Sequence, residues 1–168
     1  MQEVTDQIIA GLVNDLGELL ADRGLKVATA ESCTGGWVAK VLTDRPGSSM
    51  YTDMGLVTYS NDAKRALLGV TEHSLEHYGA VSEPVAREMV LGALAASSAN
   101  VALAVTGVAG PGGGSEDKPV GTVWFAWGRR GDQPVAACER FAGDRDAIRR
   151  QAVYFALQGL KDLVEARA

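Results

Sequence analysis

The sequence predicts an α/β fold, a three-layer α/β/α sandwich around a mixed, mostly parallel sheet. Helix-like and strand-like segments alternate through the first hundred residues, which is typical of strands joined by helical crossovers. Residues 101–106 form a continuous apolar run, as expected for a strand covered on both faces. Two strand-like segments around a glycine-containing turn, 128–132, then predict a hairpin, which makes the sheet mixed.

The order of elements follows from periodicity, caps and turn residues. Apolar residues at helical spacing predict a first helix, which Gly24 ends. Ser60-Asn61-Asp62 and Thr71 each precede a short helical segment, and Pro84 lies in the first turn of a longer helix. The predicted helices are 4–23, 37–43, 63–68, 71–77, a helix that begins at 82–84, and 143–164. The predicted strands are 25–29, 50–59, 101–106, 120–127 and 135–141.

Composition limits the class of protein. A chain of 168 residues with 46% hydrophobic and 22% charged residues fits one globular domain over 1–168. The net charge of -5 argues against a general nucleic-acid binder. Neither a signal peptide nor an apolar run of membrane-spanning length is visible, so we expect a cytoplasmic protein that does not bind membranes. The two cysteines, Cys33 and Cys138, form neither a disulfide framework nor a metal quartet.

The polar stretch 30–36 lies between the first strand and the second helix. Its side chains should therefore sit at the carboxyl end of a strand, where ligands bind in open α/β sheets. Ser32 and Cys33 are candidate nucleophiles, and Gly35 and Gly36 leave backbone N–H groups accessible to an anion. The alternative is that Ser32 or Thr34 only caps the helix.

A second glycine cluster, 107–115, follows the buried strand. It lacks the lysine of a phosphate-binding P-loop, and Ser115 stands where the dinucleotide fingerprint needs its third glycine. We interpret it as a loop whose backbone approaches a ligand closely. The alternative is a flexible connection between strands.

Nucleophilic catalysis needs a base, and the sequence offers no histidine near Ser32. His73 and His77 are spaced by four residues on a helix, without a third metal ligand, so we expect surface residues and no metal. Serine–lysine pairs are a known variant of triad chemistry. Lys64 and Lys118 lie near strand-end loops, and position alone favours a solvated helix lysine for Lys64.

Five motifs then identify a family. In chain order they are Ala30-Glu31-Ser32-Cys33-Thr34-Gly35-Gly36, Val57-Thr58-Tyr59-Ser60-Asn61-x-x-Lys64, Gly79-Ala80-Val81-Ser82, Thr106-Gly107-x-Ala109-Gly110-Pro111 and Lys118-Pro119-Val120-Gly121-Thr122-Val123. Together they closely resemble the C-terminal domain of the CinA (competence/damage-inducible) family, over about residues 5–160. Stand-alone members of that family are nicotinamide-nucleotide amidohydrolases.

The resemblance implies hydrolysis of the carboxamide of nicotinamide mononucleotide to nicotinate mononucleotide and ammonia, without a cofactor. The family's nucleophilic serine falls on Ser32 and its lysine base on Lys64. We expect orienting hydroxyls from Tyr59 and Thr106, and a small-molecule pyridine mononucleotide as the partner of a homo-oligomer. The expected substrate-binding residues are Cys33, Thr34, Gly35, Gly36, Gly107, Gly110, Gly112, Arg140 and Arg145.

Two other hypotheses remain at this point. The same pocket could belong to a non-catalytic nucleotide-binding regulatory module linked to competence. Alternatively, Cys33 could be the nucleophile, because a helix N-terminus activates a thiolate. Ser32 and Cys33 are adjacent, however, and cannot both point at one ligand. The resemblance favours Ser32.

Overall fold

The computed structural model describes residues 3–166, so the two ends of the predicted domain 1–168 lie outside the described residues. The helices are α1 (Asp6–Asp22), α2 (Trp37–Asp44), α3 (Asn61–Leu68), α4 (Glu72–Tyr78), α5 (Glu83–Ala96) and α6 (Arg145–Glu165). The strands are β1 (Val27–Glu31), β2 (Thr52–Val57), β3 (Val101–Gly107), β4 (Thr122–Arg129) and β5 (Val135–Arg140).

The five strands form one sheet in the order β2-β1-β3-β4-β5. β1 lies between β2 and β3 and is parallel to both, whereas β4 is antiparallel to β3 and β5 is antiparallel to β4. Four of the five strands therefore run in the same direction. This confirms the predicted α/β fold with a mixed sheet.

Strand alternation distributes the core between the two faces of the sheet. Val27, Leu103 and Val105 pack in one apolar cluster with residues of α1, α2 and α6. Ala28 and Ala30, like Ala102 and Ala104, belong to a second cluster with α5. We call these the α6 face and the α5 face. The small alanine side chains let α5 pack closely on the sheet, and the alternation carries Ser32 and Thr106 to the α5 face.

The strand ends differ from the predictions, and the pairing of strands in the sheet explains the difference. The sequence predicts β1 at 25–29, but the strand extends to Glu31, because its pairing continues to Val57 of β2 and Val105 of β3. The predicted strand 50–59 is shorter, since Ser48–Met50 forms a 3-10 turn before β2. As a result, Ser32 is the first residue beyond a fully buried strand.

A close crossing of α5 and α3 holds α3 in place. A Cβ atom at Gly92 of α5 would overlap the backbone of Leu68 at the end of α3, so only glycine permits this approach. Ser60 caps α3 by accepting a hydrogen bond from the Ala63 N–H at 3.0 Å. Together these contacts fix the helix that carries Lys64.

Among residues 3–166, no helix combines the length and the apolar character needed to cross a membrane.

Candidate active site

A cleft of about 220 Å³ opens at the carboxyl ends of β1, β2 and β3. The two loops that the sequence marked at strand ends, 30–36 and 107–115, both contribute residues to it, and so does the segment between β2 and α3. The loop between α4 and α5 and the first residue of α6 complete the cleft. Its lining residues are Ser32, Cys33, Tyr59, Asn61, Lys64, Ala80, Val81, Thr106, Gly107, Ala109 and Arg145.

Ser32 is held by the sheet and contacts Lys64. Its backbone N–H donates to the Val105 carbonyl at 2.9 Å, which extends the pairing of β1 with β3 by one residue. Its Oγ lies 2.9 Å from the Lys64 Nζ. The two residues are 32 positions apart in the chain, and the β1–α2 and β2–α3 connections bring them together.

Lys64 is almost completely buried, with 1% of its surface exposed. Its Nζ also donates to the carbonyl oxygens of Thr58 at 2.8 Å and Tyr59 at 3.3 Å. Burial lowers the pKa of Lys64 to about 8, from the 10.5 of a solvated lysine. The expectation of a solvated helix lysine is therefore wrong, because α3 packs this residue against the strand ends.

The two candidate orienting hydroxyls differ in their surroundings. Thr106 is buried and donates its hydroxyl to the Ala80 carbonyl at 2.9 Å, which ties β3 to the α4–α5 loop. Tyr59 has 62% of its surface exposed, and its hydroxyl accepts a hydrogen bond from Arg145 at 3.3 Å. Thus Thr106 shapes the wall of the cleft, whereas the Tyr59 ring is accessible at its mouth.

The start of α2 is capped by a residue that sequence reasoning did not single out. The Glu31 carboxylate is fully buried and accepts hydrogen bonds from the Val38 N–H at 2.9 Å, the Ala39 N–H at 3.0 Å and the Thr34 hydroxyl at 2.7 Å. Neither Ser32 nor Thr34 caps the helix. The signal that could have identified Glu31 is a carboxylate at the end of a buried strand, one turn before a helix.

The turn 32–36 offers fewer free N–H groups than the two glycines suggested. The Gly35 N–H donates to the Ser32 carbonyl at 3.0 Å, and the Trp37 N–H donates to the Thr34 carbonyl at 3.0 Å. Within the described part of the chain, the N–H groups of Thr34 and Gly36 have no hydrogen-bond acceptor. Thr34 is fully buried and does not line the cleft, and its side chain donates to Glu31. Cys33 does line the cleft, and its N–H also has no acceptor among residues 3–166.

Arg149 of α6 also contacts this turn and was missed from the sequence. Its Nε donates to the Cys33 carbonyl at 3.0 Å and its Nη2 to the Thr34 carbonyl at 3.3 Å. Arg145 and Arg149 are spaced by four residues and so share one face of α6. Spacing alone did not indicate which loop that face would meet.

Cys33 lines the cleft, but its side chain is buried. It belongs to the apolar cluster of the α6 face, and burial raises the pKa of its thiol to about 11. A thiol with that pKa is protonated near neutral pH. The geometry therefore gives no support to Cys33 as the nucleophile.

The glycine-rich loop contributes its first part to the cleft. Gly107 lines it, and the Gly110 carbonyl accepts a hydrogen bond from Arg145 at 2.7 Å. Gly112 is exposed and lies outside the lining residues. Lys118 does not approach Ser32, because its ammonium group donates to the Tyr78 carbonyl at the end of α4.

The structure does not bring Arg140 to the cleft, contrary to expectation. This residue ends β5, opposite Thr122 of β4, and two strands separate β5 from β1. Arg145 is the predicted cation that does line the site.

No group of three or more potential ligands among residues 3–166 could hold a metal ion. His73 and His77 are both exposed on α4.

Comparisons with known proteins agree with these motifs. Residues 9–164 match the model of the CinA C-terminal domain. Nicotinamide-nucleotide amidohydrolase PncC of Escherichia coli (strain K12) is 54% identical over 157 residues, which cover 94% of this chain and 95% of that protein. The protein of the same name from Pseudomonas putida is 52% identical over 92% of this chain and 96% of its own. The crystal structure of competence/damage inducible protein CihA from Agrobacterium tumefaciens has a TM-score of 0.92 and 45% identity, and covers 97% of this chain and 99% of that chain.

The buried cap at Glu31 leads to a stability prediction. Glu31→Gln should lower the free energy of unfolding by about 1–3 kcal/mol, because the amide group places an N–H where the Ala39 or Val38 N–H now donates. Urea denaturation followed by circular dichroism measures the change. Glu76→Gln, the same change at an exposed residue of α4, is the matched control and should stay within about 0.5 kcal/mol. Equal losses in both variants would contradict the assignment of Glu31 as the cap.

Proposed function

Since the chain belongs to the CinA C-terminal domain family, we propose that it hydrolyses the carboxamide of nicotinamide mononucleotide, with Ser32 as nucleophile and Lys64 as base. The products are nicotinate mononucleotide and ammonia. The observation that supports this most strongly is the 2.9 Å contact between the Ser32 Oγ and a buried Lys64. The names of the relatives from Escherichia coli and Pseudomonas putida support the substrate class.

The hydrogen bonds of Lys64 suit a neutral amine that accepts a proton from Ser32. A neutral amine has two N–H donors and one lone pair. The carbonyl oxygens of Thr58 and Tyr59 can only accept, so they take the two N–H groups. The lone pair is then left for the third partner, the Ser32 hydroxyl, which is the one that can donate.

The reaction follows the logic of serine hydrolases. Ser32 Oγ bonds to the amide carbon as its proton passes to Lys64, and the carbonyl becomes an oxyanion. When this intermediate collapses, the carbon–nitrogen bond breaks and Lys64 returns the proton to the leaving ammonia. Water then attacks the acyl-enzyme with Lys64 again as base, which releases the carboxylate and restores Ser32.

The oxyanion needs N–H donors near Ser32. The donors we propose are N–H groups of the turn 33–36, above all that of Cys33, which lines the cleft and has no acceptor for its N–H among residues 3–166. One such donor is typically worth about 3 kcal/mol in the transition state.

Substrate charge determines the remaining assignments. We assign Arg145 to the ribose phosphate, because its guanidinium is exposed at the cleft mouth and pairs bidentately with phosphate oxygens. The neighbouring backbone of Gly107 and Gly110 approaches the same end of the ligand. The accessible Tyr59 follows β2, contacts Arg145 through its hydroxyl, and orients the substrate at the cleft mouth.

The direct test of this function is product analysis with nicotinamide mononucleotide, the corresponding dinucleotide and free nicotinamide side by side. We expect ammonia release from the mononucleotide in strong preference to the other two, because the cleft offers a cation for one phosphate next to the nucleophile. Calorimetry on the same samples measures binding. Tight binding of the mononucleotide without ammonia release would favour the regulatory module instead.

The nucleophile is tested by a pair of adjacent variants. Ser32→Ala should abolish ammonia release, by at least about 10³-fold, and still bind the mononucleotide, because the serine serves bond formation. Cys33→Ala should keep substantial activity, since its side chain packs in the core of the α6 face. An inactive Cys33 variant beside an active Ser32 variant would reverse the assignment.

The base is tested by pH dependence. Because Lys64 must be neutral to accept a proton, kcat/KM should rise with pH through an apparent pKa of about 8 and level off above it. Lys64→Arg keeps the positive charge but stays protonated at every accessible pH, so it should be nearly as inactive as Lys64→Ala.

Steady-state rates between pH 6 and 10 provide this measurement. Substantial turnover by Lys64→Arg, or a wild-type profile without the rise near pH 8, would show that Lys64 is a structural cation.

A further inference from the structure

We propose that Arg149 is a positioning residue that holds the turn 32–36 in place beside Ser32, so that the free N–H groups of this turn bind the oxyanion. This inference rests on the Ser32 chemistry proposed above. Arg149 acts through the backbone of the turn 32–36 and does not line the cleft itself.

The Arg149 guanidinium donates hydrogen bonds to two consecutive carbonyl groups of that turn. Nε donates to the Cys33 oxygen at 3.0 Å and Nη2 to the Thr34 oxygen at 3.3 Å. The side chain also lies over the ring of Trp37, the first residue of α2, with 5.6 Å from its Cζ to the ring centroid. Arg149 is thereby held against both the turn and the helix that follows it.

These hydrogen bonds also fix the orientation of the peptide between Cys33 and Thr34. In a trans peptide the C=O and the next N–H point in opposite directions. The Cys33 carbonyl points toward Arg149 of α6, so the Thr34 N–H points away from that helix. Ser32 and Lys64 lie on the other side, on the α5 face of the sheet. Fixing this peptide also fixes the residue that precedes it: Cys33 lines the cleft, and its N–H has no acceptor in the described part of the chain.

The local sequence is adapted to this approach. Gly35 has a φ of 60°, and a Cβ atom there would lie 3.2 Å from the guanidinium Nη2. Glu31 holds the same turn by accepting a hydrogen bond from the Thr34 hydroxyl. A cation thus holds the carbonyl groups of the turn and an anion holds the Thr34 hydroxyl, which fixes the turn next to Ser32.

The chain offers a matched control in the next residue. Arg150 also lies over the Trp37 ring, at 4.9 Å, but pairs with Asp6 and Asp146 at the surface. Arg149→Met removes the donors and keeps an apolar stem, and Arg150→Met makes the same change without touching the turn. Both variants are compared with the wild type in ammonia release from nicotinamide mononucleotide, across the pH range.

For Arg149→Met we expect kcat to fall about 10²-fold, the size expected for loss of an oxyanion donor. KM should stay within about twofold, and the midpoint of the pH profile should not move, because neither Lys64 nor the substrate-binding groups change. Arg150→Met should remain within about twofold of the wild type in kcat. A kcat near wild type for Arg149→Met, or a loss confined to KM, would overturn the inference.

A second measurement separates this inference from the proposed function. A fluorophosphonate labels an activated serine whatever its natural substrate, and its phosphoryl oxygen uses the same N–H donors. Wild-type protein that is labelled at Ser32 but releases no ammonia would reject the deamidase function alone. Labelling of Arg149→Met as fast as the wild type would reject the positioning role alone.

If Arg149→Met unfolds, Arg149→Lys provides the test, since it keeps the charge and the stem but has one donor centre where the guanidinium has a fork. We expect Arg149→Lys to lose about tenfold in kcat. In Arg149→Ala, added methylguanidinium should restore part of the lost kcat. Wild-type kcat in Arg149→Lys, or rescue that changes only KM, would count against the inference.

Discussion

The contact between the Ser32 hydroxyl and the buried Lys64 amine is the interaction on which the other features of the site depend. An amine removed from water is unfavourable as a cation, so its proton affinity falls toward the range where it can act as a base. Two strand-end carbonyl groups hold it, a capped α3 carries it, and the tight crossing at Gly92 holds that helix against α5. Each of these features keeps Lys64 out of water and its amine next to the Ser32 hydroxyl.

The two faces of the sheet carry different parts of the site. Ser32, Lys64 and Thr106 lie on the α5 face, where the chemistry takes place. Glu31 and Cys33 lie on the α6 face together with Arg149, where they hold the turn in place. Because successive residues of a strand point to opposite faces, a one-residue step separates the reactive hydroxyl from its buried neighbours. Cys33, adjacent to the nucleophile, packs in the apolar cluster of the α6 face, where burial keeps its thiol protonated by raising its pKa to about 11.

The burial of Lys64 lowers the stability of the folded state. The folded state binds the Lys64 proton less tightly than the unfolded chain does, so the penalty is fully present below pH 8 and disappears as pH rises toward 10.5. Glu31 adds a second buried ionisable group, and its three hydrogen bonds offset its removal from water. The apolar packing of both faces has to compensate for these two groups.

The sequence alone determined the α/β class, the polar turn after β1 and the cap of α3, because alternation, helical periodicity and capping are local patterns. Its motifs also identified the family. The tertiary structure decided that Lys64 is buried, that Glu31 caps α2, that Arg149 reaches the turn and that Arg140 does not reach the cleft. Desolvation and backbone hydrogen bonds depend on which distant segments meet. Arg149 and Cys33 are 116 residues apart, so no local pattern could have joined them.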